Sequence, residues 1–196
     1  MRIGIYPGSF NPPHMGHYII ANSLYKDGLL DKIIFVPTSD YYAKDDLMPS
    51  INRYEMLKLI ADKYKHLEVS DLEISKNIQN YTYETLDAFQ LLYPNDEIYL
   101  IMGSDNLKDL KTWKHYSYIM DHFKIICIER DHKEFDMNII DKVQMVELHL
   151  EKVSSTIVRD KLKNNKDVSK LLPIEIINYI NKHNLYIDKV KYEKHK

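Results

Sequence analysis

The amino-acid sequence predicts an α/β domain: a doubly wound parallel sheet closed by a small C-terminal helical cap. Three observations predict it. Short apolar, β-branched runs recur along the chain, segments of helical spacing separate them, and no repeat, low-complexity tract or Gly/Ser linker interrupts the alternation. The runs are Ile3 to Tyr6, Lys32 to Val36, Leu67 to Val69, Glu97 to Met102, Phe123 to Ile128 and Val143 to Leu148. Near-continuous apolar runs of this length suit parallel strands covered on both faces. Between Ile51 and Tyr64, residues Met56, Leu57, Ile60, Ala61 and Tyr64 fall on one helical face. Near the end, Ile174, Ile177 and Ile180 repeat that pattern, with Pro173 placed in the first turn. Strand and helix in alternation imply right-handed crossovers, so the expected architecture is Rossmann-like.

The 196 residues suit one domain over 1–188, with 189–196 a polar tail. A hydrophobic fraction of 44% and a charged fraction of 29% belong to an ordinary globular chain. The net charge of −2 argues against a general nucleic-acid or membrane-surface partner, which needs a basic footprint. The 16 tyrosines are scattered and form no stacking platform for single strands. The one cysteine, Cys127, lies inside an apolar run and reads as a buried strand thiol; alone it makes neither a disulfide nor a zinc cluster. Met1-Arg2-Ile3-Gly4 does not open a signal peptide and no run is long enough to span a bilayer, so the cytoplasm is the expected compartment.

In doubly wound sheets, ligands bind beyond the carboxyl ends of the strands where strand order reverses, so motifs that follow strands carry weight. The first strand runs into Gly8-Ser9-Phe10-Asn11-Pro12-Pro13-His14-Met15-Gly16-His17. Gly8 permits close backbone approach, and the prolines stiffen the turn. His14 and His17, three apart at a helix start, can share a face beside the helix N–H groups and make an anion site suited to polyphosphate. After the last strand comes Val153-Ser154-Ser155-Thr156-Ile157-Val158-Arg159. One hydroxyl there suffices to cap a helix; three, with Arg159 a turn on, also suit phosphate oxygens. A third element is Ile101-Met102-Gly103-Ser104-Asp105-Asn106-Leu107, followed by Trp113-Lys114. Gly103 admits close ligand approach, Asp105 could accept from ribose hydroxyls, and Trp113, the only tryptophan, offers a flat face or a core filler.

His14-Met15-Gly16-His17 resembles the HxGH signature of the nucleotidyltransferase superfamily, which class I aminoacyl-tRNA synthetases also carry. The chain has no KMSKS-type loop or anticodon domain, and GxGxxG is absent after the first strand, which sets aside synthetase and dehydrogenase. Val153 to Arg159 is similar to the ISSTxIR motif of the same superfamily. The Gly103–Asp105…Trp113 segment resembles that of nicotinate and nicotinamide mononucleotide adenylyltransferases. Tyr81-Thr82-Tyr83-Glu84-Thr85-Leu86 is similar to their YTxDTL stretch, with Glu84 in place of the usual Asp, and Leu171 to Tyr186 resembles their closing helix. The resemblance thus covers nearly the whole chain. GSFNP (Gly8 to Pro12) and Asp40-Tyr41-Tyr42-Ala43-Lys44 look like the eukaryotic dual-substrate branch, yet the tryptophan which that branch carries near Leu72 is missing. The compact length and the Gly103–Trp113 spacing look bacterial and favour nicotinate mononucleotide.

The resemblance implies transfer of AMP from ATP to the phosphate of the mononucleotide, with Mg²⁺ bound to the ATP. His14, His17, Arg159 and Lys44 are the implied catalytic set. Gly8, Ser9, Phe10, Gly103, Asp105, Ser154, Ser155 and Thr156 would join His17 and Arg159 around ATP. Asn11, Tyr42, Lys44, Tyr83, Thr85 and Trp113 would hold the second substrate, and no protein metal ligand is implied. A phosphate monoester is already an anionic nucleophile, so positioning and charge stabilisation suffice without a covalent residue. The alternatives are a nicotinamide or dual-substrate enzyme, a sister transferase such as pantetheine-phosphate adenylyltransferase or a cytidylyltransferase, and a non-catalytic nucleotide-sensing module. His66, His115, His122, His132, His149 and His183 read as surface or satisfied residues, His115 lying near the implied ring site. Assembly as a homo-oligomer is left open.

Overall fold

The computed structural model describes residues 1–41, 46–75, 78, 80–129, 142–148 and 153–187. Strands β1 (Arg2–Gly8), β2 (Lys32–Pro37), β3 (Leu67–Val69), β4 (Glu97–Gly103), β5 (Lys124–Glu129) and β6 (Val143–Glu147) form a single sheet. The spatial order is β3-β2-β1-β4-β5-β6 and every pairing is parallel. The order reverses between β1 and β4, the place where a doubly wound sheet opens a crevice.

Alternate residues of the strands feed two separate cores. Ile33, Phe35, Tyr99, Ile101, Ile126 and Ile128 point to one face, while Ile34, Val36, Ile98, Leu100, Ile125 and Cys127 point to the other. Because both faces are apolar, a period of two coexists with an unbroken hydrophobic run. The first core is roofed by α1 (Met15–Lys26) through Ile20, Ala21 and Leu24, and by α2 (Ser50–Ala61) through Met56, Leu57 and Ile60. The second is roofed by α3 (Thr82–Leu92), α4 (Ser104–Asp109) and α5 (Tyr116–His122) through Leu86 and Phe89, Leu107, and Ile119 respectively. A 3₁₀ turn over Leu110–Thr112 joins α4 to the segment before α5.

The cap is made by α6 (Ser155–Lys163) and α7 (Ile174–Lys182), whose Val158, Ile176 and Ile180 enter the first core. Tyr179 donates its hydroxyl to Asn52 Oδ1 of α2 at 3.1 Å, and Lys63 pairs with Glu175. Two details of the expected helical faces are corrected. Helix α2 stops at Ala61, so Tyr64 lies beyond it, 43% exposed. Pro173 is the residue before α7 rather than inside it, which turns Ile174 outward at 61% exposure; the buried stripe is Leu172, Ile176 and Ile180, spaced by four. Cys127 is fully buried in β5, as its apolar setting predicts. No described helix is long and apolar enough to cross a membrane. The expected tail, 189–196, lies outside the described residues.

Candidate active site

A cleft of about 640 Å³ opens at the β1/β4 reversal, within the range of ordinary ligand pockets. Its near wall is the turn after β1. Phe10 adopts φ 44°, a left-handed conformation that costs a bulky residue energy and persists only when the surroundings over-determine it. Here they do: the buried Phe10 ring packs at 5.7 Å from Tyr6, 5.6 Å from Phe35 and 4.9 Å from His17.

The backbone of that turn is fastened from remote segments. Arg53 of α2 is wholly buried and donates to Met48 O (2.7 Å), Ser9 O (2.8 Å) and Thr38 O (2.7 Å), tying the loop after β1 to the loop after β2. Burial lowers the Arg53 pKa and the nearby Asp40 carboxylate opposes that; a guanidinium stays charged regardless. From the cap, Arg159 Nη1 donates to Asn11 O at 2.8 Å and Ser155 Oγ to Pro12 O at 2.9 Å. Met15 N donates to Leu171 O at 2.9 Å.

His14 stands at the N-cap of α1 and His17 one turn in, their rings stacked at 3.7 Å and 22°. His14 is 2% exposed, whereas His17 lines the cleft. The His14 backbone N–H donates to His17 Nδ1 at 3.1 Å. A neutral ring whose Nδ1 accepts must carry its proton on Nε2, so His17 presents a donor on its other nitrogen. Gly16 explains the small residue between them: a Cβ there would meet Val153 Cγ1 at 2.9 Å and His14 Nδ1 at 3.1 Å. Larger residues would push α1 off both.

The far wall comes from β4 and the segments around α3 and α5. Gly103 ends β4 and caps α4, whose first turn carries Asp105; both line the cleft. Trp113 lines it too, half-buried, with its inner side against the second core. At the start of α3, Glu84 Oε2 accepts from Tyr81 N at 3.0 Å, which makes Glu84 a helix cap.

Of the residues singled out from sequence, Gly8, Ser9, Phe10, His17, Gly103, Asp105, Trp113 and Ser155 line one cleft. Others are placed elsewhere. Asn11 is not a cleft residue: its Nδ2 donates to Asp46 O (2.9 Å), and its Oδ1 accepts from Met48 N (3.1 Å) and Tyr186 OH (2.9 Å). His14 is beneath His17 rather than beside it. Ser154 accepts from Ile157 N and caps α6, and Thr156 is exposed, accepting from Arg159 Nη2 at 3.4 Å. Arg159 itself is drawn back onto Asn11 O and does not line the cleft. Thr85 is buried and donates to Glu73 Oε1 at 2.7 Å. Tyr83 donates to Glu84 Oε1 at 3.1 Å, with its pKa raised chiefly by desolvation. One turn of α3 carries Tyr83 and Thr85 away from the opening, while Asn80, Tyr81 and Thr82 face it. Tyr42 and Lys44 lie outside the described residues.

Sequence reasoning missed Thr38, Glu73, Asn80 and Lys114 in the cleft wall and Arg53 behind it. Lys114 adjoins Trp113 and Asn80 adjoins Tyr81, so proximity to a motif was the available signal. Arg53 left none, because a single arginine on a helix ordinarily faces water.

A sequence model of the cytidylyltransferase-like family matches residues 5–161. A relative from Fusobacterium nucleatum named "Probable nicotinate-nucleotide adenylyltransferase" is 37% identical over 195 residues, covering 96% of this chain and 100% of that one. One from Flavobacterium psychrophilum is 35% identical over 191 residues, covering 95% and 99%. Among solved structures, the Plasmodium falciparum nicotinic acid mononucleotide adenylyltransferase complexed with NaAD superposes with a TM-score of 0.81 at 26% identity, covering 94% of this chain and 97% of that chain. With the HxGH turn, the β1/β4 cleft and near-complete coverage in agreement, the chain belongs to the cytidylyltransferase-like nucleotidyltransferases and, within them, to the nicotinate-nucleotide adenylyltransferase family.

Proposed function

We propose that the chain joins ATP to nicotinate mononucleotide, releasing pyrophosphate and forming nicotinate adenine dinucleotide. The observation that carries this reading is the presence of His17, Gly103 and Trp113 in one cleft at the strand-order reversal. The mononucleotide phosphate attacks the α-phosphorus of ATP in line; a P–O bond forms there as the bond to the leaving pyrophosphate breaks. His17 donates its Nε2 proton in a hydrogen bond to a phosphoryl oxygen, where negative charge is concentrated. Ser155 and the first turn of α6 face the polyphosphate, and Arg159, one helical turn on, swings from Asn11 O toward the leaving group. Three of its five N–H donors remain uncommitted by the bonds to Asn11 and Thr156. Gly103 and Asp105 lie along the adenosine half, and Trp113 stacks on the pyridine ring.

Mg²⁺ would come with ATP and supply charge stabilisation on the phosphates, with no dedicated protein cage required. The placement of Lys44 against the attacking phosphate is the expectation drawn from the resemblance of Asp40 to Lys44 to the dual-substrate branch.

The test is pyrophosphate release with ATP, Mg²⁺ and each of nicotinate and nicotinamide mononucleotide. Release with the acid at a higher kcat/KM supports the reading. Comparable rates convert it to a dual-substrate enzyme, and no release with either mononucleotide overturns it.

A further inference from the structure

Asn80 is the anomaly of the cleft. Its Nδ2 and Oδ1 are both buried from solvent and neither has a hydrogen-bond partner among the described residues, yet the residue lines the opening. Native proteins rarely leave a buried amide unsatisfied, because desolvation without a replacement bond is costly. Lys114 stands in the same wall. Its ammonium rests 4.1 Å from the centroid of Tyr81 and 6.0 Å from that of Tyr83, and no carboxylate among the described residues pairs with it. A cation on an exposed aromatic face is weakly held and turns readily to an anion. Trp113 lines the same cleft and is next to Lys114 in sequence.

We propose that Asn80 and Lys114 read the 3-substituent of the pyridine ring stacked on Trp113, selecting the ionised carboxylate over the carboxamide. The proposal rests on the nicotinate reading above and names the residues that enforce it. Asn80 Nδ2 donates to one carboxylate oxygen, a hydrogen bond strengthened by the ligand's charge. Lys114 adds the positive potential that a neutral carboxamide cannot use. A carboxamide ring keeps a bond to Asn80 but gains nothing from Lys114, so the pair separates two rings of nearly the same shape by charge alone.

The experiment compares kcat/KM for the two mononucleotides in wild type, Asn80→Asp and Lys114→Met. Asn80→Asp keeps the side-chain shape but sets a carboxylate against the ligand's. The acid-to-amide ratio should fall about a hundredfold in Asn80→Asp, since like charges at contact are strongly disfavoured. In Lys114→Met it should fall about fivefold, the scale of one partly solvated charge pair. Equal changes for both substrates overturn the proposal. Lys114 is exposed, so its substitution removes no core contact. A second readout needs no turnover: Trp113 is the only tryptophan, so quenching of its fluorescence by each mononucleotide gives a Kd ratio. A wild-type chain that releases no pyrophosphate removes the catalytic reading, while the quench ratio still decides whether Asn80 and Lys114 select the acid. An unchanged quench ratio in both variants overturns the selection even if the enzyme is active.

Discussion

On the β1 side of the cleft, the turn from Ser9 to Met15 is fastened by Arg53, Met48, Ser155, Arg159, Leu171 and Tyr186, residues spread from position 48 to position 186. On the opposite side, Asn80 has no partner among the described residues and Lys114 rests on a tyrosine ring. The first wall has its backbone tied by remote side chains; in the second, Asn80 and Lys114 keep polar groups that no described residue takes up. The proposed chemistry belongs to the fastened wall, where a phosphoryl group in flight tolerates little misplacement. The proposed recognition belongs to the sparsely bonded wall, where polar groups must be available to a ligand. Rigidity and vacancy are thus divided between the two sides of one opening.

The comparison can be broken most severely at Arg53. Arg53→Met removes the donor to Ser9 O, Thr38 O and Met48 O, and leaves those carbonyls buried. A loss of about 3–5 kcal/mol in urea denaturation is expected, with activity falling as the turn loosens. A loss below about 1 kcal/mol would mean that the turn is held by packing of Phe10 and not by this guanidinium. His17→Ala sharpens the other aspect. It should lower kcat about 10²–10³-fold while the melting temperature stays near wild type, and near-wild-type turnover would remove the ring from the mechanism.

The smallest effect is expected far from both walls, at the exposed pair of Arg2 and Asp31, 2.7 Å apart. The Arg2 hydrogen bonds hold the Asp31 pKa at about 2, below its ordinary 3.8. A carboxyl with a depressed folded pKa stabilises the fold fully above its unfolded value, and that contribution is lost as pH falls through the folded one. Asp31→Asn should therefore lower the melting temperature slightly above pH 4. The difference should shrink between pH 4 and 2, with kcat unchanged at neutral pH. A kcat change comparable to that of His17→Ala would show that the cleft is coupled to this edge.

Much of the fold was legible because parallel strands covered on both faces carry an unmistakable apolar signature. Most predicted strands match within one or two residues, and the alternation of helices set the winding. At the cleft, the motifs fall on segments that line it but not always on the side chain that turns inward. Asn11 sits in the middle of the most recognisable motif, yet its partners are at positions 46, 48 and 186, separations that no local pattern reveals. Tyr83 and Thr85 belong to a stretch whose inward residues are Asn80, Tyr81 and Thr82, because the helix begins at Thr82 and rotates the later ones away. Ile174 fails for a similar reason: a one-residue shift in helix start turns a predicted core position outward.

The bond from Tyr186 to Asn11 spans 175 positions. During synthesis on the ribosome, the turn carrying the paired histidines emerges among the first residues, but its last fastener is translated near the end. A nascent chain can pair β1 with β2 early, since that contact is comparatively local. It cannot complete the turn until the cap has been made and docked, and contacts of such separation form slowly. Competence for nucleotide transfer therefore arrives with the finished domain, and a partly translated chain holds its HxGH segment without the support that shapes it.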